Sequence, residues 1–201
     1  MEIQVHIPDN TKGDWSIKTF EISKEDAKFQ NMRASFSSGP QAYYIPGIYK
    51  KLCRNGKVIM SNTRDEIQDH MHFIRKARGN VLINGLGLGV CLKAVLEKPE
   101  VESVTVIEKS QDVIDLVSPY FDDLRLTIIH ADALEYKPPR GERYDCVWHD
   151  IWDDICLDNL ETMAMLHRKY GRRCDWQDSW KRDWLKYQQR RERDSIWRST
   201  Y

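Results

Sequence analysis

The chain has 201 residues, 41% hydrophobic and 31% charged, with Lys plus Arg balancing Asp plus Glu at a formal net charge of zero. That length suits one domain with a small appendage, and the composition excludes collagen-like, disulfide-dense and grossly disordered classes. Zero net charge removes the usual footprint of a dedicated nucleic-acid binder, so nucleic acid is not indicated as a partner, although a local basic patch stays open. The five cysteines have no Cys-x-x-Cys spacing and read as reduced thiols rather than zinc ligands or a disulfide frame. There is no long apolar run, and residues 1–6 lack the basic and apolar regions of a signal peptide, so the expectation is a cytoplasmic protein with no membrane segment.

Up to about Met60, short apolar stretches broken by Gly and Pro, such as residues 15–20 and 57–60, predict strands of a small β-rich cap. Asn55-Gly56 is a tight-turn dipeptide ahead of the last of them. Ile67, Met71 and Ile74 then fall at helical spacing and predict a helix over 65–77, with Asn62 or Thr63 as N-cap and Arg78-Gly79 as stop. Residues 80–84 read as a buried parallel strand, followed by a glycine-rich turn and a helix over 90–97. Strands over 103–107, 126–129 and 145–148, with a helix over 112–117, continue the alternation and imply right-handed crossovers in a parallel sheet. Beyond Trp152 no further strand is expected, since 158–170 and 176–193 both read as helices. The predicted organisation is a cap over 1–62, a Rossmann-like nucleoside-binding core over 63–157 and a helical segment over 158–201.

The glycine-rich turn carries the strongest chemical signal. After Asn84, the glycines Gly85, Gly87 and Gly89 let a ligand approach the backbone where side chains would collide with it, and the next helix offers amide donors. A tight turn between core elements is the other use of such a loop. Glu108 ends the following strand, nineteen residues beyond Gly89, where a carboxylate can accept both ribose hydroxyls. That spacing fits a dinucleotide fold as well, so an NAD-dependent oxidoreductase stays a rival.

Residues from about Ile59 to Asp154 resemble the spermidine synthase branch of the class I S-adenosylmethionine-dependent methyltransferase superfamily. The likeness runs through Thr63-Arg64-Asp65-Glu66, through Val81-Leu82-Ile83-Asn84-Gly85, and through Tyr144-Asp145 to Asp150-Ile151-Trp152-Asp153, which looks like that family's Tyr-Asp followed by Asp-x-x-Asp. The whole chain also looks like uncharacterised methyltransferase-like proteins of bacteriophages, which would place it in a host cytoplasm. The resemblance implies an α/β, Rossmann-like parallel sheet of the class I methyltransferase type, shortened at the C-terminus, and S-adenosylmethionine or its decarboxylated form as cofactor. In such folds an acid after the third strand accepts from the adenine amino group, which carries over to Asp132 with Ala133 beside it; a turn or cap residue is the alternative. In the synthases the first acid of Asp-x-x-Asp helps deprotonate or orient the attacking amine and the second helps hold it, which the likeness transfers to Asp150 and Asp153. It also places His70, with Asp69 where the family has tyrosine, near the substrate. The chain departs by Met60 where the synthases have glutamine, and by His149, Trp152 and Asp154 around the Asp-x-x-Asp.

Catalysis is thus expected from Asp150, with His149 or Asp153 assisting, at the carboxyl edge of the fourth strand. Helix capping is the competing use of Asp153 and Asp154. His70-Met71-His72 is no convincing metal motif, because residues two apart on a helix diverge, and no metal is expected. Trp176, Trp180 and Trp184 at i, i+4 and i+8 predict one aromatic face on a terminal helix, read as burial before a homodimer contact or a base-stacking surface. The sequence leads to a methyltransferase on an unknown acceptor, with aminopropyl transfer and a non-catalytic nucleoside-binding or interaction protein as alternatives.

Overall fold

The computed structural model describes residues 3–36 and 43–200, with side chains 196–200 outside the description. Residues 1–2 and 37–42 of the predicted cap and residue 201 of the predicted helical segment therefore lie outside the described residues.

The cap is an antiparallel sheet of β1 (Asn10–Lys12), β2 (Trp15–Ile22), β3 (Gly47–Arg54) and β4 (Lys57–Ser61), in that order. Asn55 and Gly56, both at positive φ (49° and 81°), close the β3–β4 hairpin as their sequence predicts. Between β2 and β3 lies an unpredicted helix, α1 (Lys24–Ser35). The Ser23 hydroxyl starts it by accepting from the Asp26 N–H at 3.0 Å. Only Ala27 of α1 is buried, so no apolar period marks it.

The core follows the predicted alternation: α2 (Arg64–Lys76), β5 (Gly79–Asn84), α3 (Val90–Leu96), β6 (Val101–Glu108), α4 (Gln111–Val117), β7 (Leu126–His130), β8 (Tyr144–His149) and α5 (Asn159–Tyr170). Thr63 stands at the cap of α2, though its side chain makes no capping bond. The parallel sheet runs β7-β6-β5-β8-β9, and the fifth strand corrects the sequence reading. β9 (Cys174–Ser179) pairs with β8 through Cys146↔Trp176 to His149↔Ser179. The terminal helix α6 begins only at Arg182. The aromatic face predicted on one helix is therefore split. Trp176 lies in β9 against the His72 ring, with centroids 5.4 Å apart, Trp180 lies in the β9–α6 turn, and Trp184 is exposed on α6.

Alternation along each strand feeds two apolar layers. Cys146 and Trp148 of β8 face α2, where Trp148 stacks on Phe73 at 5.2 Å, while Val147 faces Leu166 and Tyr170 of α5. The order reverses between β5 and β8, with β6 on one side of β5 and β8 on the other. A crevice opens there beyond the carboxyl ends of the strands. No helix among the described residues is long and apolar enough to cross a membrane.

Candidate functional site

A cavity of about 920 Å³ fills that crevice and extends under the cap hairpin. It is in the size range of small-molecule sites, roughly 300 to 1,000 Å³. Its floor is the glycine turn. Gly85, Gly87 and Gly89 all have positive φ (101°, 52° and 72°), a region that disfavours side chains. Their crowding, however, comes from the protein itself. A Cβ on Gly85 would sit 1.9 Å from the Asp150 carbonyl oxygen, one on Gly87 2.2 Å from Met60 Sδ, and one on Gly89 2.5 Å from the Phe121 ring. The expectation that all three cradle a ligand is thus revised. Gly85 and Gly87 line the cavity, whereas Gly89 starts α3 from behind it.

Glu108, at the end of β6, lines the cavity and braces the turn. Its Oε2 accepts from the Leu86 N–H and its Oε1 from the Ser110 N–H, each at 2.8 Å. An ionised carboxylate has about four acceptor positions, so two remain for vicinal hydroxyls. Asp132 and Ala133 line the same wall. Asp132 accepts from the Leu134 N–H at 2.8 Å and pairs with Lys109 at 2.7 Å, and that lysine holds its carboxyl below the ordinary range. The turn thus occupies Oδ1 and Lys109 occupies Oδ2, so a ligand amino group at Asp132 would share an oxygen with one of these donors.

Asp150 emerges just past β8, where its backbone N–H donates to the Asn84 carbonyl at 2.8 Å. Its carboxyl lies 3.8 Å from His70 Nε2. Burial, reinforced by Glu66, Asp69 and Glu108, pushes it up to about 7, whereas burial drives His70 down to about 4. A proton acceptor poised near neutrality thus faces a neutral imidazole. Glu66, missed as a site residue, also lines this end. It accepts from the Ser61 N–H, and desolvation pushes its pKa above the ordinary carboxylate range. The signal available for it was an acid on the apolar face of α2, one turn before His70.

Other expected residues fall elsewhere. Asp153 lines the cavity but is paired with Arg54 Nη1 at 3.0 Å, and Arg54 itself covers the Trp15 ring at 5.3 Å. Asp154 pairs with Lys57, so two ion pairs join the cap hairpin to the loop after β8. Asp69 is turned to Lys181 at 2.6 Å and does not line the cavity. Asn84 and His149 are fully buried behind the floor and bonded to one another, so neither lines the cavity that was expected to use them. Among the described residues no cluster of three or more His, Cys, Asp or Glu could hold a metal ion.

No model of a known protein family matches the chain. It is similar to the polyamine aminopropyltransferase of Agathobacter rectalis, 25% identical over 147 residues, which is 66% of this chain and 52% of the relative. It is also similar to that of Buchnera aphidicola subsp. Acyrthosiphon pisum, 30% identical over 128 residues, 56% of this chain and 45% of the relative. Among solved structures, the spermidine synthase of Thermotoga maritima aligns with 70% of this chain and 46% of its own at 20% identity and a TM-score of 0.42. An S-adenosylmethionine-dependent methyltransferase of Mesorhizobium loti covers 53% of this chain and 49% of its own at 17% identity and a TM-score of 0.42. The chain spans about half the length of the curated relatives it matches. The likeness expected from the sequence, to the spermidine synthase-like branch, is thus met by named relatives.

Proposed function

We propose that the cavity binds an adenosyl sulfonium donor, S-adenosylmethionine or its decarboxylated form, and that the chain transfers an alkyl group from it to a cationic amine. The observation that carries this is charge. Nine carboxylates line the cavity (Asp14, Glu66, Glu108, Asp112, Asp132, Asp150, Asp153, Asp154 and Asp158) against two cations, Arg54 and Lys109. Both cations are already paired with lining acids, Asp153 and Asp132. Such a site concentrates positive ligands and repels the pyrophosphate of a dinucleotide, which counts against the oxidoreductase reading.

The donor supplies a sulfonium-bound carbon, which the amine lone pair attacks as the carbon–sulfur bond breaks and its electron pair goes to sulfur. Glu108 and Asp132 orient the nucleoside, Asp150 takes the ammonium proton that blocks the lone pair, and the cap hairpin excludes water. The relatives' names favour aminopropyl transfer over methyl transfer at this site, and the acidic end around Asp150 and Glu66 suits an ammonium in both. Calorimetry with S-adenosylmethionine, S-adenosylhomocysteine and NAD tests the donor, and tight binding of NAD alone would overturn it. Supplying each donor with mono- and diamines, and identifying products by mass, separates aminopropyl from methyl transfer.

Two variants probe the walls. Glu108→Gln keeps one acceptor oxygen for the turn and removes the charge, so adenosylhomocysteine binding should weaken by about 1–3 kcal/mol in a folded protein. Unchanged affinity in calorimetry would remove Glu108 from the ribose site. Arg54→Met should unmask Asp153 and lower KM for diamines relative to monoamines. Exposed ion pairs are worth about 0.2–1 kcal/mol, which limits the change to roughly fivefold. An unaltered diamine-to-monoamine ratio would show that Asp153 does not meet the acceptor.

A further inference from the structure

We propose that His149 is a positioning residue, locked by Asn84 so that the end of β8 delivers Asp150 into the cavity in register with the glycine turn. The inference rests on the proposed transferase reading only for its kinetic readout.

Asn84 and His149 are register partners, the last residues of β5 and β8. Each immediately precedes a cavity residue, Gly85 or Asp150. Both side chains are fully buried, and the Asn84 amide donates to His149 Nδ1 at 2.7 Å. An amide nitrogen has no lone pair to offer, so Nδ1 is the acceptor and the ring proton resides on Nε2. From there it is donated to Gln177 Oε1 at 3.2 Å on β9, and the Gln177 amide in turn donates to the His167 carbonyl of α5 at 2.9 Å. The direction of every bond in this chain is set, from β5 through β8 and β9 to α5.

Two backbone features show what the chain holds. The Asp150 N–H donates to the Asn84 carbonyl at 2.8 Å, and the Asp150 carbonyl occupies the space that a Cβ on Gly85 would need. The turn and the acid are thus packed backbone to backbone at the point the Asn84–His149 bond spans. A buried polar pair of this kind specifies one arrangement, because breaking it strands a donor and an acceptor away from water. Burial drives His149 down to about 3, so it stays a neutral link over the whole range in which Asp150 titrates. The charged and titratable groups that act on Asp150 are Glu66, Asp69 and His70 from α2 and Glu108 from β6, with the Cys91 thiol of α3 coupled to it. None of them is hydrogen-bonded to His149, whose ring partners are Asn84 and Gln177.

The test compares His149→Leu, which keeps bulk without hydrogen bonds, with His149→Asn, whose amide oxygen can take the place of Nδ1. Carboxyl-carbon NMR of the unliganded protein reports the Asp150 titration independently of any activity. Loosening of the β8 end should admit water and move the Asp150 midpoint in His149→Leu downward by at least one pH unit, with kcat falling at least tenfold and adenosylhomocysteine affinity changing little. His149→Asn should restore both towards wild type. If His149→Leu does not fold, Asn84→Ser removes the same bond from the other side and should show the same downward midpoint. A wild-type midpoint in a folded His149→Leu or Asn84→Ser would overturn the proposal. If wild type turns over neither donor, the transferase reading fails while the NMR comparison still decides the role of His149.

Discussion

Gly85→Ala should unfold the protein or leave it barely stable, with a loss on the order of 3–5 kcal/mol against a typical total of about 5–15. Two independent costs add. At φ 101° a residue with a Cβ occupies a backbone region that costs about 1–3 kcal/mol. The new methyl carbon would also lie 1.9 Å from the Asp150 carbonyl oxygen, a backbone atom that cannot rotate away. Relief requires β5 and β8 to part at their carboxyl ends, where the Asp150 N–H holds the Asn84 carbonyl. Gly141→Ala, at a similar φ of 87° but with open space around it, is the control and should carry only the conformational cost. Urea unfolding of the two variants checks this. Equal losses would mean that the close approach at Gly85 is unimportant.

That comparison shows what was legible in the sequence. A glycine-rich turn between a buried strand and a helix was visible at 84–90, but glycine is demanded there by Asp150, Met60 and Phe121, and none of those contacts is local in sequence. The parallel sheet followed from alternating strands and helices with right-handed crossovers, while its strand order had no signal in the sequence. β9 was hidden because Cys174–Ser179 is an edge strand of polar residues whose two tryptophan neighbours along the chain imitate a helical period. α1 was hidden because it buries almost nothing and so has no period, leaving only Ser23 and Asp26 as a capping signal. At the site, Asp150, Glu108 and Asp132 were legible because strand ends point into the crevice. His149 was misjudged because adjacent strand residues face opposite ways. It shares the face of Val147, against the ring of Tyr170 at 5.5 Å, while only the residue beyond the strand reaches the cavity. Asp69 and His70 pose the same question on a helix, where neighbours differ by about 100° and only one can face the cavity.

Asp150→Asn should abolish most turnover and at the same time stabilise the fold at neutral pH. The carboxyl is pushed up to about 7 in the folded protein, chiefly by burial and then by Glu66, Asp69 and Glu108. In the unfolded chain it titrates near 3.9. Between these values the folded state binds a proton that the unfolded state has lost, so wild-type stability falls as pH rises from about 4 to about 7 and then levels off. The slope is about 1.4 kcal/mol per pH unit at most, which amounts to a penalty on the order of a few kcal/mol at pH 7. Asparagine cannot ionise and escapes it. The stability difference between variant and wild type should therefore be near its minimum at pH 4, grow through pH 7 and then stay constant. His70, kept neutral by burial, loses stability in the opposite direction as pH falls below about 6.5, but it does so in both proteins and cancels in the difference. Catalysis should move the other way. Loss of a general base typically costs about 10²–10⁴-fold in rate, and adenosylhomocysteine binding should be retained because its sulfur is neutral. Urea titrations at several pH values, with calorimetry at pH 7, measure both. Parallel stability curves for the two proteins would mean that the Asp150 carboxyl is solvated as an ordinary surface acid, and would remove it from the centre of the site.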